Sequence, residues 1–338
     1  MKTKLRLENF KGFEECEFEL APLTLLIGAN STGKSSVFQA IKILANQREF
    51  RDSDLRNGTN SGLIKLSLKN EEIALELPPQ PERPYYPSEN VHHLTAVRYA
   101  LRRELTKIEE FPTQLGIHGE NLYEILIADA LASIATGERK FKILDRINEF
   151  LREIDAGFYY QPKIEMVAVQ EGLPKVKFSL NIVDKGVEVN IVDAGFGYTQ
   201  FLYVSTFILS ANSGSDDKPV LILLEEPAVH LHQKLVVELF DIIWKQLSTD
   251  KFVLIETHSE HILMRLRRRV AERKIAPLDV AVYFFRKKQG KTWAERVEID
   301  EYGELSENFP PDFFSQDYED LQALTEAWRR YKNGDNNS

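Results

Sequence analysis

Leu25-Leu26-Ile27-Gly28-Ala29-Asn30-Ser31-Thr32-Gly33-Lys34-Ser35-Ser36 carries the pattern GxxxxGK[ST] at a point where an apolar stretch gives way to a helical one. Upstream, Pro22-Leu-Thr-Leu-Leu-Ile27 reads as a buried strand; downstream, Val37-Phe-Gln-Ala-Ile-Lys-Ile-Leu44 has helical apolar spacing. In that setting Gly28 and Gly33 allow a tight turn whose N–H groups point inward, and the helix start adds the positive end of its dipole. The expectation is an ATP phosphate loop formed by Gly28, Asn30, Ser31, Thr32, Gly33, Lys34, Ser35 and Ser36. Lys34 would reach the β- and γ-phosphates, and the Ser35 hydroxyl would ligate Mg2+.

The 338 residues are enough for one large α/β core with a smaller lobe, or for two modest domains. A hydrophobic content of 43% with 28% charged residues is that of an ordinary globular chain. No apolar run approaches the ~18 residues of a membrane span, and Met1-Lys-Thr-Lys-Leu-Arg6 leads into alternating charge, so the expected location is cytoplasmic, away from membranes. Cys16 is the single cysteine, which excludes an intrachain disulfide framework and a cysteine-built metal site. With a net charge of −9, any nucleic-acid contact has to come from a local patch.

Moving outward from the loop, Lys4-Leu-Arg-Leu-Glu-Asn-Phe10 and Glu15-Cys-Glu-Phe-Glu-Leu20 alternate as hairpin strands do around Lys11-Gly12, and Leu63 to Leu68 with Glu72 to Leu77 repeat the pattern. Pro78-Pro-Gln-Pro-Glu-Arg-Pro84 ends this lobe. From about Leu94 to Phe150 the signal is helical, with Phe141, Leu144, Ile147 and Leu151 spaced for one face and no sustained heptads. Lys175 to Val183 and Val187 to Val192 read as a second hairpin, and Phe201 to Leu209 as an amphipathic helix. Asn333-Gly-Asp-Asn-Asn-Ser338 reads as a frayed tail.

Two further apolar strands end in chemistry. Pro219-Val-Leu-Ile-Leu-Leu-Glu225-Glu226-Pro227 describes a buried parallel strand that delivers carboxylates beside the phosphate loop. Successive side chains point opposite ways, which gives Glu225 the magnesium shell and Glu226 the attacking water. Phe252-Val-Leu-Ile-Glu-Thr-His258-Ser259 places His258 where it can donate to the γ-phosphate or position that water. His230-Leu-His232 together with His258 invites a metal reading but lacks a further ligand of fixed spacing. Asp193-Ala-Gly195-Phe-Gly197-Tyr-Thr199-Gln200 is a second Gly-rich turn opening a helix.

Taken in order, Asn9-Phe-Lys-Gly-Phe13, the phosphate loop, Asp193 to Gln200, Leu224-Glu-Glu-Pro-Ala-Val-His-Leu-His232 and Ile255-Glu-Thr-His-Ser-Glu-His-Ile-Leu263 resemble ABC-type ATPases of the OLD and RecF/SMC-like branch. Tyr302 to Phe314 resembles the tail of stand-alone members, so the likeness covers nearly the whole chain. The resemblance implies an α/β P-loop NTPase fold: an ABC-type ATPase head with an N-terminal antiparallel sheet, a compact helical lobe and no long coiled coil. The expected segments are 1–90 with the phosphate loop, 91–160 helical, 161–215 with the signature hairpin and helix, 216–300 with the Walker B strand and switch histidine, and a 301–338 tail. It also implies Mg2+-dependent ATP hydrolysis with Lys34, Glu226 and His258 as catalytic residues and Ser35 and Glu225 on the metal. Dimers would sandwich ATP between the phosphate loop of one subunit and Gly195, Gly197 and Thr199 of the other.

This chain departs from the family in two places: Gly195-Phe-Gly197 replaces Leu-Ser-Gly-Gly, and Glu225 stands where most ABC ATPases have Asp. Gln80 falls in the interval of the usual magnesium-sensing glutamine, and Arg98 either pins the helical lobe or approaches nucleotide. OLD nucleases carry a TOPRIM domain after the ATPase; none is recognised here, so the expectation is an ATPase that controls a separately encoded effector, nuclease or toxin, in bacterial anti-phage defence. The alternative is a RecF-like repair ATPase holding duplex DNA through Arg265, Arg267, Arg268 and Arg269, a run whose plainer reading is a solvated helix face. A transporter subunit is disfavoured by the missing Leu-Ser-Gly-Gly and the long N-terminal sheet.

Overall fold

The chain opens with the antiparallel hairpin β1 (Thr3–Phe10) and β2 (Phe13–Leu20), in which Leu5 and Leu7 are buried between half-exposed charged neighbours, as the alternation requires. This is a computed structural model; it describes residues 3–68, 72–79, 86–105, 115–135, 142–170, 173–211, 219–248, 250–310, 313 and 323–329. Gln80 with most of its proline-rich loop, Phe141 and the 333–338 tail lie outside these residues. The wholly buried strand β3 (Leu23–Ile27) leads through the phosphate loop into helix α1 (Lys34–Leu44). A second antiparallel pair follows, β4 (Gly62–Ser67) and β5 (Glu72–Leu77), and β4 pairs with β1.

Where the sequence read as helical from Leu94, the structure first inserts a short buried strand, β6 (Val91–Leu94), and only later forms α2 (Leu122–Ala135) and α3 (Lys142–Glu153). Next come β7 (Phe158–Gln170), β8 (Leu173–Asp184) and β9 (Val187–Asn190), a separate three-stranded antiparallel sheet larger than the expected hairpin. Helix α4 (Phe196–Ser210) is buried continuously from Thr199 to Ile208, so it is an interior helix and not the amphipathic one expected. The remainder alternates: β10 (Val220–Glu225), α5 (Gln233–Trp244), β11 (Lys251–Thr257), α6 (Glu260–Ala271), then the hairpin β12 (Val280–Lys288) and β13 (Lys291–Val297).

One ten-stranded sheet runs β5-β4-β1-β2-β13-β12-β3-β11-β10-β6. Its centre is parallel, with β3 between β11 and β12, and β11 beside β10. Those strands are near-continuous apolar runs because both faces are covered. One face packs with α1 on Leu26, Leu221, Leu223 and Leu254; the other, with Leu25, Ile222, Leu224 and Ile255, meets the helices α2 to α6. All the parallel strands therefore finish on the same edge, where an open α/β sheet places its ligands. No helix among the described residues is long and apolar enough to cross a membrane.

Candidate nucleotide site

After Ile27 the backbone passes through left-handed φ at Gly28 (151°), Ser31 (62°) and Gly33 (106°). A Cβ on Gly28 would lie 2.7 Å from the Phe285 carbonyl oxygen of β12, and one on Gly33 2.8 Å from Thr292 Cγ2 of β13. The two glycines thus serve both conformation and the close approach of the β12–β13 hairpin. Thr32 Oγ1 donates to the Ala29 carbonyl at 2.8 Å, and the Ser36 N–H donates to the Gly33 carbonyl at 3.0 Å, which closes the turn. Lys34 is buried, with Nζ donating to the carbonyls of Gly28 (2.8 Å) and Ala29 (3.0 Å). Burial lowers its pKa, against the opposing pull of Glu256 and Glu226.

The cleft above the loop holds about 690 Å3, a volume suited to a nucleotide. Ser31, Gly33, Lys34, Ser35 and Ser36 line it; Gly28, Asn30 and Thr32 do not. Four cations that the sequence reading had not assigned stand around the same cleft: Lys11, Arg56, and Lys287 with Lys291 from the ends of the β12–β13 turn. Lys287-Lys-Gln-Gly-Lys291, a basic turn between strand-like runs, was the available signal.

Glu226 and His258 come together at the ends of β10 and β11. Glu226 takes a left-handed φ of 43°, and its N–H donates to the Glu256 carbonyl at 2.8 Å, extending the ladder one step past β10. Its Oε1 accepts from His258 Nδ1 at 2.8 Å, and its Oε2 from Thr257 Oγ1 at 3.2 Å. The hydrogen-bonded Nδ1 leaves Nε2 of the exposed His258 ring free to face a ligand.

Glu225 has a different setting from the one expected. Lys42 Nζ donates to His93 Nδ1 at 3.0 Å, so His93 carries its proton on Nε2 and donates it to Glu225 Oε1 at 2.8 Å. Burial works against ionisation of Glu225, but the His93 hydrogen bond, with the Ala96 backbone N–H and the Lys42 charge, brings its pKa below the ordinary value. Ser35 Oγ instead donates to Glu256 Oε1 at 2.7 Å. Sequence reasoning passed over Glu256, which sits on β11 opposite Glu225 in the strand register. It is 8% exposed, its Oε2 is buried without a hydrogen-bond partner, and burial pushes its carboxyl up to about 7. A hydroxyl and carboxylate oxygens are hard donors suited to Mg2+. Among the described residues no three His, Cys, Asp or Glu side chains form a metal cluster.

The signature turn lies elsewhere. Gly195 caps α4, Phe196 is 48% exposed, and a Cβ on Gly197 would approach the His230 carbonyl to 3.2 Å. Gly195, Gly197 and Thr199 are absent from the lining of the phosphate-loop cleft, and Thr199 is buried within its own chain. Arg98 takes the structural one of its two readings: buried, it donates to Gln200 Oε1 on α4 and to the Glu225 carbonyl at 3.3 Å.

The basic run is not the free cationic face that the DNA reading needs. Arg265 and Arg269 both bind Asp241 of α5, Arg267 donates to the Gly303 carbonyl and pairs with Glu304, and Arg268 pairs with Glu272. Two of the four arginines are therefore structural, and the other two are partly neutralised.

Comparison with known proteins places this arrangement. The family model described as "AAA ATPase domain" matches residues 1–80 and 109–263, well over half of the chain. The chain belongs to the AAA ATPase domain family. A second family model, described as "Protein of unknown function (DUF3696)", matches residues 275–324 of this AAA ATPase, which include the β12–β13 hairpin. The DNA replication and repair protein RecF of Edwardsiella ictaluri (strain 93-146) is 44% identical over 50 residues, 14% of this chain and 14% of RecF. Among solved structures, an SmcHead bound to the C-winged helix domain of ScpA gives a TM-score of 0.55 at 12% identity, covering 87% of this chain and 97% of that one. The SMC head domain from Thermotoga maritima gives 0.51 at 13% identity over 88% and 100%. The fold is thus the ABC-type P-loop ATPase head shared with SMC proteins.

Proposed function

We propose that this AAA ATPase binds and hydrolyses ATP with Mg2+, dimerising around the nucleotide, and that the ATP-bound dimer controls a separately encoded effector such as a nuclease or toxin in bacterial anti-phage defence. The observation that carries the catalytic part is the Glu226–His258 pair at the strand ends next to Lys34. Glu226 would accept a proton from the attacking water, and His258 would hold that carboxylate in place through Nδ1 while its Nε2, in the doubly protonated ring, donates to the γ-phosphate. Lys34 would exchange its loop carbonyls for phosphate oxygens. ATP would supply the transferable phosphoryl group and Mg2+ the charge neutralisation.

Dimerisation is supported by what each cleft lacks in its own chain. The phosphate loop faces Lys11, Arg56 and the β12–β13 turn, while Gly195 and Phe196 are exposed and, like the half-buried Gly197, do not line that cleft. A two-fold pair would bring each signature to the other's phosphate. The effector reading draws on the likeness to stand-alone ATPases and on the net charge of −9. A RecF-like role in DNA maintenance is the second reading, favoured by the 50-residue match to RecF.

Glu226→Gln tests the catalytic assignment and traps the dimer. Turnover should fall by ~10²-fold or more while ATP remains bound. With Mg2+ and ATP, light scattering should then report twice the monomer mass, reverting when nucleotide is removed. A variant that hydrolyses at the wild-type rate, or stays monomeric with ATP bound, contradicts the proposal.

A further inference from the structure

We propose that Glu256, and not Glu225, is the carboxylate that holds the magnesium shell beside Ser35, an assignment that rests on the nucleotide reading of the cleft. A serine hydroxyl presents a lone pair to a cation only when its proton is engaged elsewhere. Ser35 Oγ donates its hydrogen to Glu256 Oε1 at 2.7 Å, which leaves its lone pairs open to a cation. The second oxygen, Oε2, is buried without a partner, in a residue that is 8% exposed and lines the phosphate-loop cleft. An unpaired carboxylate oxygen in such a place is costly unless a cation or its bound water meets it. Lys34, the nearby ammonium, is turned toward Gly28 and Ala29.

Glu225 is committed in the opposite direction. Its Oε1 accepts from His93 Nε2–H, in a hydrogen-bonded chain that begins at Lys42 on the last turn of α1. The register of β10 with β11 explains how the exchange arises: Glu225 and Glu256 are direct cross-strand partners, and β11 is the strand adjacent to β3. Glu256 is therefore one strand closer to the loop that carries Ser35. The hydrogen bonds through His93 hold Glu225 against β6 and leave the inner position to Glu256.

The test uses wild type, Glu256→Gln and Glu225→Gln with a fluorescent, non-hydrolysable ATP analogue, titrated in EDTA and in Mg2+. A parallel titration follows Mn2+ binding to the analogue-loaded protein by electron paramagnetic resonance. Removing a negative charge beside the phosphates should leave Glu256→Gln binding analogue in EDTA at least as tightly as wild type. The same change should cost it ~10-fold or more of Mn2+ affinity and of the Mg2+-dependent gain. Glu225→Gln should keep Mn2+ affinity close to that of wild type, because its carboxylate is engaged by His93 and does not line the cleft. Ser35→Ala combined with Glu256→Gln should lose little more Mn2+ affinity than either change alone, because the two groups act as a unit. Loss of Mn2+ binding in Glu225→Gln with retention in Glu256→Gln overturns the assignment. If Glu256→Gln does not fold, Glu256→Asp takes its place and should weaken Mn2+ binding; wild-type Mn2+ affinity in that variant refutes the proposal. Absence of analogue binding by wild type would instead refute the nucleotide reading of the cleft.

Discussion

Asp241→Ala should destabilise the protein by ~3 kcal/mol, a magnitude that follows from what the carboxylate holds. Asp241 is 6% exposed at its side chain and receives Arg265, 11% exposed, and Arg269, 10% exposed, with Trp244 Nε1 donating at 2.9 Å. Breaking a buried ion pair by removing one partner costs about 3–5 kcal/mol, because the remaining charge is uncompensated. Glu238 lies 3.4 Å from Arg265 and Glu272 also pairs with Arg269, so part of the charge is retained and the lower figure applies. At roughly 2 °C per kcal/mol for a chain of this size, Tm should fall by about 6 °C in a thermal scan. Burial opposes ionisation of Asp241, but the hydrogen bonds from Arg269 and Arg265 keep its pKa below the ordinary value. Its contribution is then complete at neutral pH and lost as pH falls through that depressed value, below about 4. Wild type and variant should converge in acid and separate as pH rises. Arg268→Ala, on a 64% exposed side chain, is the control and should stay within ~0.5 kcal/mol. A loss under ~1 kcal/mol in Asp241→Ala would refute the structural role of Arg265 and Arg269 and restore them as free cations.

Lys34→Ala should weaken ATP binding by removing a phosphate contact, leaving the fold intact; equilibrium dialysis showing wild-type affinity would contradict the loop assignment. Gly33→Ala places a methyl 2.8 Å from Thr292 Cγ2 at a φ of 106°, so nucleotide affinity should drop by more than ~10-fold, measured by calorimetry, with full binding as the contrary result. Replacing the exposed Arg268 and Arg273 with Glu should change duplex-DNA binding little at physiological salt. A loss of salt-sensitive binding in that variant, measured by fluorescence anisotropy, would favour the RecF-like reading.

The parallel core was legible because strands covered on both faces have to be apolar throughout and then stop where a ligand sits. Pro22 to Ile27, Pro219 to Leu224 and Phe252 to Ile255 all announce themselves in that way. Hairpins β1–β2 and β4–β5 were equally plain from alternation. By contrast, β7 contains Pro162, which argues locally against a strand although it pairs with Leu180 of β8. Helix α4 was misread because Tyr203, Ser205 and Thr206 look like a polar face, yet the interior buries all three. Asp241 is 24 to 28 residues away from the arginines that it neutralises, beyond any local pattern. Glu256 stands in the Ile255–Leu263 motif without a role that its position there would suggest, and only the pairing of β11 with β3 brings it to Ser35.

Subunit complementation addresses the central claim, that each ATP site is built from two chains. Lys34→Ala and Gly197→Asp are purified separately, mixed at equal concentration and allowed to exchange. Each variant alone should be nearly inactive, since every site has one damaged half. In a mixed dimer one site collects both lesions and the other is intact. About half of the dimers are mixed at random, so independent sites should restore roughly a quarter of wild-type ATPase activity, and the mixture should trap nucleotide. If neither activity nor trapping returns after exchange has been demonstrated, the signature turn does not act across the dimer and the account is wrong.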